Sequence, residues 1–418
     1  MKNKLLLIVT VLVSGLCAKS YATDYIVSAG GSGGSYATIS AACSTAVSGD
    51  RIIVYPKPGG ASYSEGTLVL NKSVQILSAV EGVYYTVSGN IQISPSVAGL
   101  KISIMQMKLI DGVIAATTNA PAGPRCEVNI INDSLMHFVG QMDFAYNNYN
   151  LTLANCVTSH SVIARYGKFI GNKITANTTY GLNIHSESAV TDDTVMVIGN
   201  KVIQGSASSS ALGISWSSNS AYFHIYNNFV LLNYQNVTYV GSGIEVSNAR
   251  QSASGQNYIV NNTIKREYGY CYYGVYCVVP SSVCRVDIEN NLHWVGSVYY
   301  GIYVSGGTLN IHYNMVTGGA YAGFTNDGSN GTLANTSIDA DGAITNPLSN
   351  AINGGNPDSA MADLDLSRND CGAYGGSFSL SNFFPNGVND WARVFLVMAP
   401  RRVLVNGTIQ VKAFGYDK

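Results

Sequence analysis

Apolar and polar residues alternate in short runs along most of the chain, and two motifs punctuate the runs. The first is an aliphatic residue, one variable residue and Asn. It occurs as Ile170-Gly171-Asn172, Ile198-Gly199-Asn200, Ile225-Tyr226-Asn227, Ile259-Val260-Asn261 and Ile288-Glu289-Asn290. These asparagines lie 28, 27, 34 and 29 residues apart. Weaker copies stand at Ile130-Ile131-Asn132 and Leu153-Ala154-Asn155, and at Ile311-His312-Tyr313-Asn314 the Asn slips by one. The second motif is Gly, an apolar residue, a variable one, then usually an apolar one. It reads Gly181-Leu182-Asn183-Ile184, Gly213-Ile214-Ser215-Trp216, Gly243-Ile244-Glu245-Val246, Gly274-Val275-Tyr276-Cys277 and Gly301-Ile302-Tyr303-Val304, with a degenerate copy at Gly323-Phe324.

Alternation with period two marks strands with one buried face. Each segment is too short to bury a core alone, so the repeats must bury one another. Stacking the turns of chain sets every strand beside its counterpart, about 4.8 Å away. The aliphatic positions then form continuous interior columns, with Ile198, Ile225, Ile259 and Ile288 expected in one file. The predicted fold is therefore all-β, a parallel β-solenoid held by nearest-neighbour contacts. A propeller would need four strands and about 40–45 residues per repeat, which the spacing does not supply. A recurring Asn at a bend predicts a ladder of side-chain amides, because buried amides need partners.

Composition narrows the function classes. Only 11% of the 418 residues are charged and the formal net charge is −1, against about 25% charged in an ordinary globular domain. No basic footprint exists for nucleic acid, and no polybasic patch for a membrane surface. Lys2 and Lys4, the apolar run Leu5 to Leu16 and the small residues around Ser20-Tyr21-Ala22 read as a secretory signal over residues 1–22. That run is shorter than the roughly 20 residues of a membrane span, and no other stretch qualifies. The expected location is secreted or at the cell surface.

Seven cysteines follow the signal: Cys43, Cys126, Cys156, Cys271, Cys277, Cys284 and Cys371. Export permits disulfides, and a bridge among Cys271, Cys277 and Cys284 is one reading. Small buried hydrophobes are the other. The spacing fits no zinc site.

The stretch Tyr36-Ala37-Thr38-Ile39-Ser40-Ala41-Ala42, followed by Ser48-Gly49-Asp50-Arg51-Ile52-Ile53-Val54 and Asn71-Lys72-Ser73-Val74-Gln75-Ile76-Leu77, resembles the N-terminal part of right-handed parallel β-helix proteins of the pectate-lyase-like superfamily. The resemblance implies a right-handed β-helix over residues 23–376, with a short capping helix over its first coil. Asn346-Pro347, Ala351-Ile352-Asn353-Gly354-Gly355-Asn356-Pro357 and the run from Asp363 to Gly376 resemble the closing segment of secreted bacterial members. Residues 377–418 form a β-rich extension. Ala392 to Met398 and Val403 to Ala413 are its expected strands, either the start of an immunoglobulin-like module or a hairpin on the helix end.

Alternation assigns the outward positions. In the Gly motif the third residue faces out, giving the row Asn183, Ser215, Glu245, Tyr276, Tyr303. Lys265 and Arg266, expected in a turn one coil on, complete a candidate ligand-binding groove with Glu245, Tyr276 and Tyr303. Tyrosine offers an apolar face to a sugar ring and a hydroxyl to its edge, and the two cations suit a uronate carboxylate. The competing reading is that the tyrosine column only stabilises the stack. In the Asn motif the residues flanking each Ile are expected outside: Val197 and Gly199, His224 and Tyr226, Tyr258 and Val260, Asp287 and Glu289, Asn310 and His312. Asp287, Glu289 and His312 then cluster as an acid/base pair, a weak Ca2+ site or solvated surface charge; no other cofactor is implied.

No nucleophile elbow and no phosphate loop occur. The expected role is binding a polysaccharide, cell-surface glycan or other surface in an adhesin-like manner. The alternative is a polysaccharide lyase or glycoside hydrolase of the superfamily that the chain resembles.

Overall fold

The computed structural model describes residues 22–135, 142–206, 208, 210–234, 239–251, 255–280, 283–383, 394–399, 408 and 410–415. The signal assigned to residues 1–22 therefore lies almost wholly outside the described residues. The chain winds as a parallel β-solenoid of about ten turns with three strand-bearing faces. The first face is a sheet of twelve strands in chain order, from Asp24–Val27 to Thr308–His312. The second and third faces follow in each coil, for example Lys173–Ala176 then Tyr180–Ile184, and Lys201–Gln204 then Leu212–Trp216. In two late coils they fuse into the long strands Thr263–Val278 and Leu292–Ser305.

Parallel register stacks like on like. On the first face Val195, Phe223 and Asn257 follow one another, and Val197, Ile225, Ile259, Ile288 and Ile311 form an interior column. Ile198 is not in that file. It pairs with Tyr226 and points outward, one residue off the expected register. Val197, expected outside, takes the interior place and is fully buried.

The cause lies in the turn between the first and second faces, which takes two residues. The first adopts a left-handed conformation: Asn132, Asn155, Gly171, Gly199, Asn227, Asn261, Asn290 and Tyr313 all have φ between 51° and 65°. Gly and Asn tolerate that region best. The second residue turns inward and enters the ladder. In the later coils the motif carries two asparagines in succession, and only the second belongs to the ladder. Anchoring the pattern on the first Asn therefore shifted these coils against Gly171-Asn172 and Gly199-Asn200.

The ladder runs Asn172, Asn200, Asn228, Asn262, Asn291, Asn314, Asn330. Asn172 N and Nδ2 both donate to Asn200 Oδ1, at 3.0 and 2.9 Å. Asn200 repeats this with Asn228, Asn228 with Asn262, and so to Asn330. Each Nδ2 also reaches a backbone carbonyl, as Asn172 does to Leu153 O at 2.8 Å. Cys156 and Asp133 occupy the preceding rungs. Cys156 N donates to Asn172 Oδ1, and Met107 N to Asp133 Oδ1 at 2.6 Å.

The glycine of the second motif has a steric origin. It sits at the corner between second and third faces, against the interior side chain of the next coil. A Cβ at Gly213 would lie 2.3 Å from Val230 Cγ1, one at Gly243 2.6 Å from Ile264 Cγ2, and one at Gly301 2.0 Å from Val316 Cγ1.

A short helix, Ile39–Thr45, covers the first coil with Ile39, Ala42 and Cys43 buried. Thr38 caps it, its Oγ1 accepting from Ala41 N, and Glu65 accepts from Ile39 N and Ser40 N at 2.7 and 2.9 Å. At the other end, residues 333–383 fold back along the second face and the ladder turn. The left-handed asparagines hold this strap: Asn227 Nδ2 donates to Ala373 O and Gly375 O, and Asn261 Nδ2 to Asn369 Oδ1. Phe383 packs on the bare backbones of Gly171 and Gly199 and beside Ile170 and Ile198. The extension contains two antiparallel strands, Val394–Met398 and Lys412–Gly415. They pack on the flank of the solenoid through Leu396, Met398 and Phe414, rather than on its end. All seven cysteines are buried thiols, and no bridge joins Cys271, Cys277 and Cys284.

Asn228→Ala would leave Asn200 N and Nδ2 without their acceptor in the interior. A loss of about 3 kcal/mol is expected, read as a lower midpoint in thermal or denaturant melts. Asp133 gives the opposite case. Burial raises its carboxyl pKa well above the ordinary value, and its Oδ2 is buried with no partner among the described residues. The folded state then binds a proton more tightly than the unfolded one, so this group's contribution is fullest below the unfolded value and declines as pH rises above it. Asp133→Asn should remove that slope. Melts at pH 8 should show the variant more stable than the parent, with a smaller gap at pH 4; an equal gap at both would contradict the assignment.

Candidate functional site

The third face carries an outward row set by register. Asp143, Ile163, Asn183, Ser215, Glu245, Tyr276 and Tyr303 are paired coil to coil. The Gly motif made the row legible from Asn183 onward. Asp143 and Ile163 were missed because Met142–Phe144 and Val162–Ala164 lack the corner glycine that signals the strand.

Access differs along the row. Ile163, Asn183 and Ser215 are buried, whereas Glu245, Tyr276 and Tyr303 are half-buried. The turn from Ser186 to Asp193 contributes to the wall beside the covered part. Arg125 pins it, with Nη2 at 2.8 Å from Glu187 Oε2 and Nη1 at 3.0 Å from Asp193 Oδ2. Arg165 donates to Ala145 O and Ser186 O. Burial, then the Arg165 charge, lowers the His185 pKa, and Asp143 opposes them.

The open part is a plate of tyrosines. Tyr276 and Tyr303 stack with centroids 5.4 Å apart and planes at 8°. Tyr273 and Tyr300, also paired in register, lie 6.4 Å apart at 12°. Tyr273 closes on Tyr276 at 4.8 Å and on Tyr303 at 5.5 Å. Tyr299 sets its ring edge to Tyr300 at 4.8 Å and is 62% exposed. Tyr268, Tyr270 and Tyr272 are exposed around it. Tyr273 and Tyr300 are further site residues; the sequence displayed the tyrosine cluster, but alternation across a glycine corner does not register both pairs.

Glu245 borders the plate. Burial raises its carboxyl pKa, while Ser242 Oγ, donating to Oε2 at 3.2 Å, works the other way. Burial and then the Glu245 charge raise the Tyr276 hydroxyl. The nearest carboxylate in the same row, Asp143, is four coils back, about 19 Å at the strand spacing. Glycoside hydrolysis uses two carboxyl groups roughly 5–9.5 Å apart, and this row does not supply them.

Lys265 and Arg266 do not join this groove. They belong to the second face, not to a turn. Lys265 pairs between Leu231 and Trp294 and lies under the strap, its Nζ donating to Ile338 O and Asp339 O at 3.0 and 3.1 Å. Arg266 stands between Leu232 and Val295 in an interior row and is fully buried. Burial lowers its pKa, offset in part by Cys271. Two coils back in that row, Gln204 is polar too and its Nε2 donates to Leu212 O. The corner accepts polar heads, and the register shift between Arg266 and Tyr270 widens it locally. Neither cation is placed to meet a ligand at Glu245.

On the first face Asp287, Glu289 and His312 do point outward, with Glu289 and His312 in register. They are tied separately. Asp287 accepts from Gln256 Nε2 and from Asn310 Nδ2, Glu289 from Asn356 Nδ2, and His312 pairs with Asp327. Among the described residues no three His, Cys, Asp or Glu side chains converge as metal ligands.

No family model matches the chain, and no curated protein matches it. Among solved structures the chain is similar to a crystal structure of pectate lyase Pel9A, at 16% identity, covering 85% of this chain and 97% of that one with a TM-score of 0.43. A likeness of that size says nothing of activity.

Proposed function

We propose that the protein binds an extended polysaccharide or cell-surface glycan on the tyrosine plate of the third face, outside the cell or at its surface. The observation behind this reading is the accessible aromatic area: two stacked pairs in register, extended sideways by Tyr299 and Tyr272. Exposed apolar patches of this kind mark interaction sites in soluble proteins. A tyrosine plate suits sugar rings, giving them apolar contact while its hydroxyls stay near solvent and ligand edges. Glu245 supplies a hydrogen-bond acceptor at the border.

Residues 22 onward include no helix long and apolar enough to cross a membrane among those described. Binding is favoured over lyase or hydrolase chemistry because the described residues set one carboxylate, Glu245, beside the plate, with Lys265 and Arg266 engaged elsewhere and the other acid of the row about 19 Å away.

Tyr276→Ala combined with Tyr303→Ala should weaken retention on an immobilised glycan panel at least tenfold, with an unchanged melt. Retention equal to the parent would remove the plate as the site. Release of reducing ends or of unsaturated uronate from any panel member would replace binding by catalysis.

A further inference from the structure

The first face carries a groove of its own, distant from the tyrosine plate. It lies over the N-terminal coils and measures about 750 Å3. One column of its floor is polar: Gln75, Ser103, Asn129 and Thr152 are paired coil to coil, and Lys168 follows Thr152. The column beside it is apolar and largely buried: Leu77, Met105, Ile131 and Ala154 form one cluster with Ile53 against it, and Met105 and Ile131 border the groove. Phe414 and Gly415 of the C-terminal strand stand over the far end, with Lys168 Nζ 4.7 Å from the Phe414 ring centre. Asn129 Nδ2 donates to Ser103 Oγ at 3.2 Å, which orients the amide.

We propose that this groove binds an uncharged, extended oligosaccharide lying along the solenoid axis. The lining charges cancel. Lys101 and Lys168 are matched by Glu127 and Asp50, and Lys101 Nζ sits 3.2 Å from Glu127 Oε2. A polyanion finds no net positive field there. A peptide strand finds no open backbone, since every interior strand of this sheet is paired on both sides. Recognition must come from side chains, and these repeat at the coil spacing of about 4.8 Å. A repeating ligand with hydroxyls on its edges and apolar ring faces matches a hydroxyl-and-amide column bordered by Met105, Ile131 and Phe414. Pockets for such ligands combine apolar lining with a few placed polar groups.

Titration calorimetry on the exported chain with cellohexaose, xylohexaose and mannohexaose, and with an oligogalacturonate as the charged control, tests this. At least one neutral hexasaccharide should bind, with an affinity unchanged by high salt. Gln75→Ala with Asn129→Ala should weaken it at least tenfold, and Ser103→Trp, which fills the groove, should abolish it; melting curves check that both variants fold. The same titrations on a Tyr276→Ala, Tyr303→Ala background, which lacks the plate, should still show the groove's binding and its loss in both groove variants, so failure here and failure of the tyrosine plate are separable. No heat from any neutral hexasaccharide, equal affinity in both groove variants, or preference for the oligogalacturonate would overturn the proposal.

Discussion

The middle and later coils depend on one repeated contact: a buried asparagine whose side-chain carbonyl takes two N–H bonds from the coil before it and whose backbone N and Nδ2 each pass one on. A two-residue turn inside a solenoid buries backbone groups that no strand ladder reaches. Left unpaired, each would cost roughly 1–3 kcal/mol. Asn is suited to the rung because it accepts and donates on one short side chain. The ladder also fixes register, because a rung must meet the rung above it. With register fixed, the inward columns close and the outward rows become continuous. The outward row of the third face, from Asn183 to Tyr303, is a consequence of that alignment.

The low charge of the chain has a related cause. A large part of the surface that a solenoid would show to water is covered by its own closing segment. The second face would otherwise expose Phe229, Leu231 and Trp294. Phe229 and Leu231 belong to the cluster that includes Phe383 and Leu380, and Trp294 Nε1 donates to Thr336 O. Cations beneath the strap find partners in it: Lys201 pairs with Asp341 Oδ1 at 2.5 Å, and Lys265 donates to two backbone carbonyls. Such a cover needs anchors on the turn. The left-handed asparagines supply them without disturbing the rung that follows, which explains why later coils carry Asn twice in succession.

That doubling marks the limit of what the sequence discloses. Period-two alternation and the corner glycine identified the solenoid, the third-face row and the order Glu245, Tyr276, Tyr303, because those features are local and repeat without insertion. The rung itself was misplaced where Asn227-Asn228 or Asn261-Asn262 offers two equivalent residues. One is turned out to the strap and the other inward, a choice made by residues more than a hundred positions away. Lys265 and Arg266 were misread for the same reason. Charge in a sparse sequence suggests exposure, yet Lys265 is covered by carbonyls of residues 338–339, and Arg266 occupies a corner that only the bulge after it enlarges. The groove on the first face was unreadable in advance. Its columns sit in the early coils, where the Asn motif is weak, and its overhang comes from the far end of the chain.

Stacking alone does not account for the tyrosine plate. A parallel solenoid gains from like side chains in register, and Tyr276 over Tyr303 or Tyr273 over Tyr300 is explained that far. Tyr272 and Tyr299 share a register position one coil apart as well, yet both lie at the margin, tilted against Tyr273 or edge-on to Tyr300, and both are exposed. Exposed aromatics at a sheet margin add little to the column and enlarge a surface prone to self-association. The other covered faces of this protein are shielded by the strap, which stops short of the plate. Among the described residues the plate stays uncovered, and that is the reason an outside partner is proposed for it.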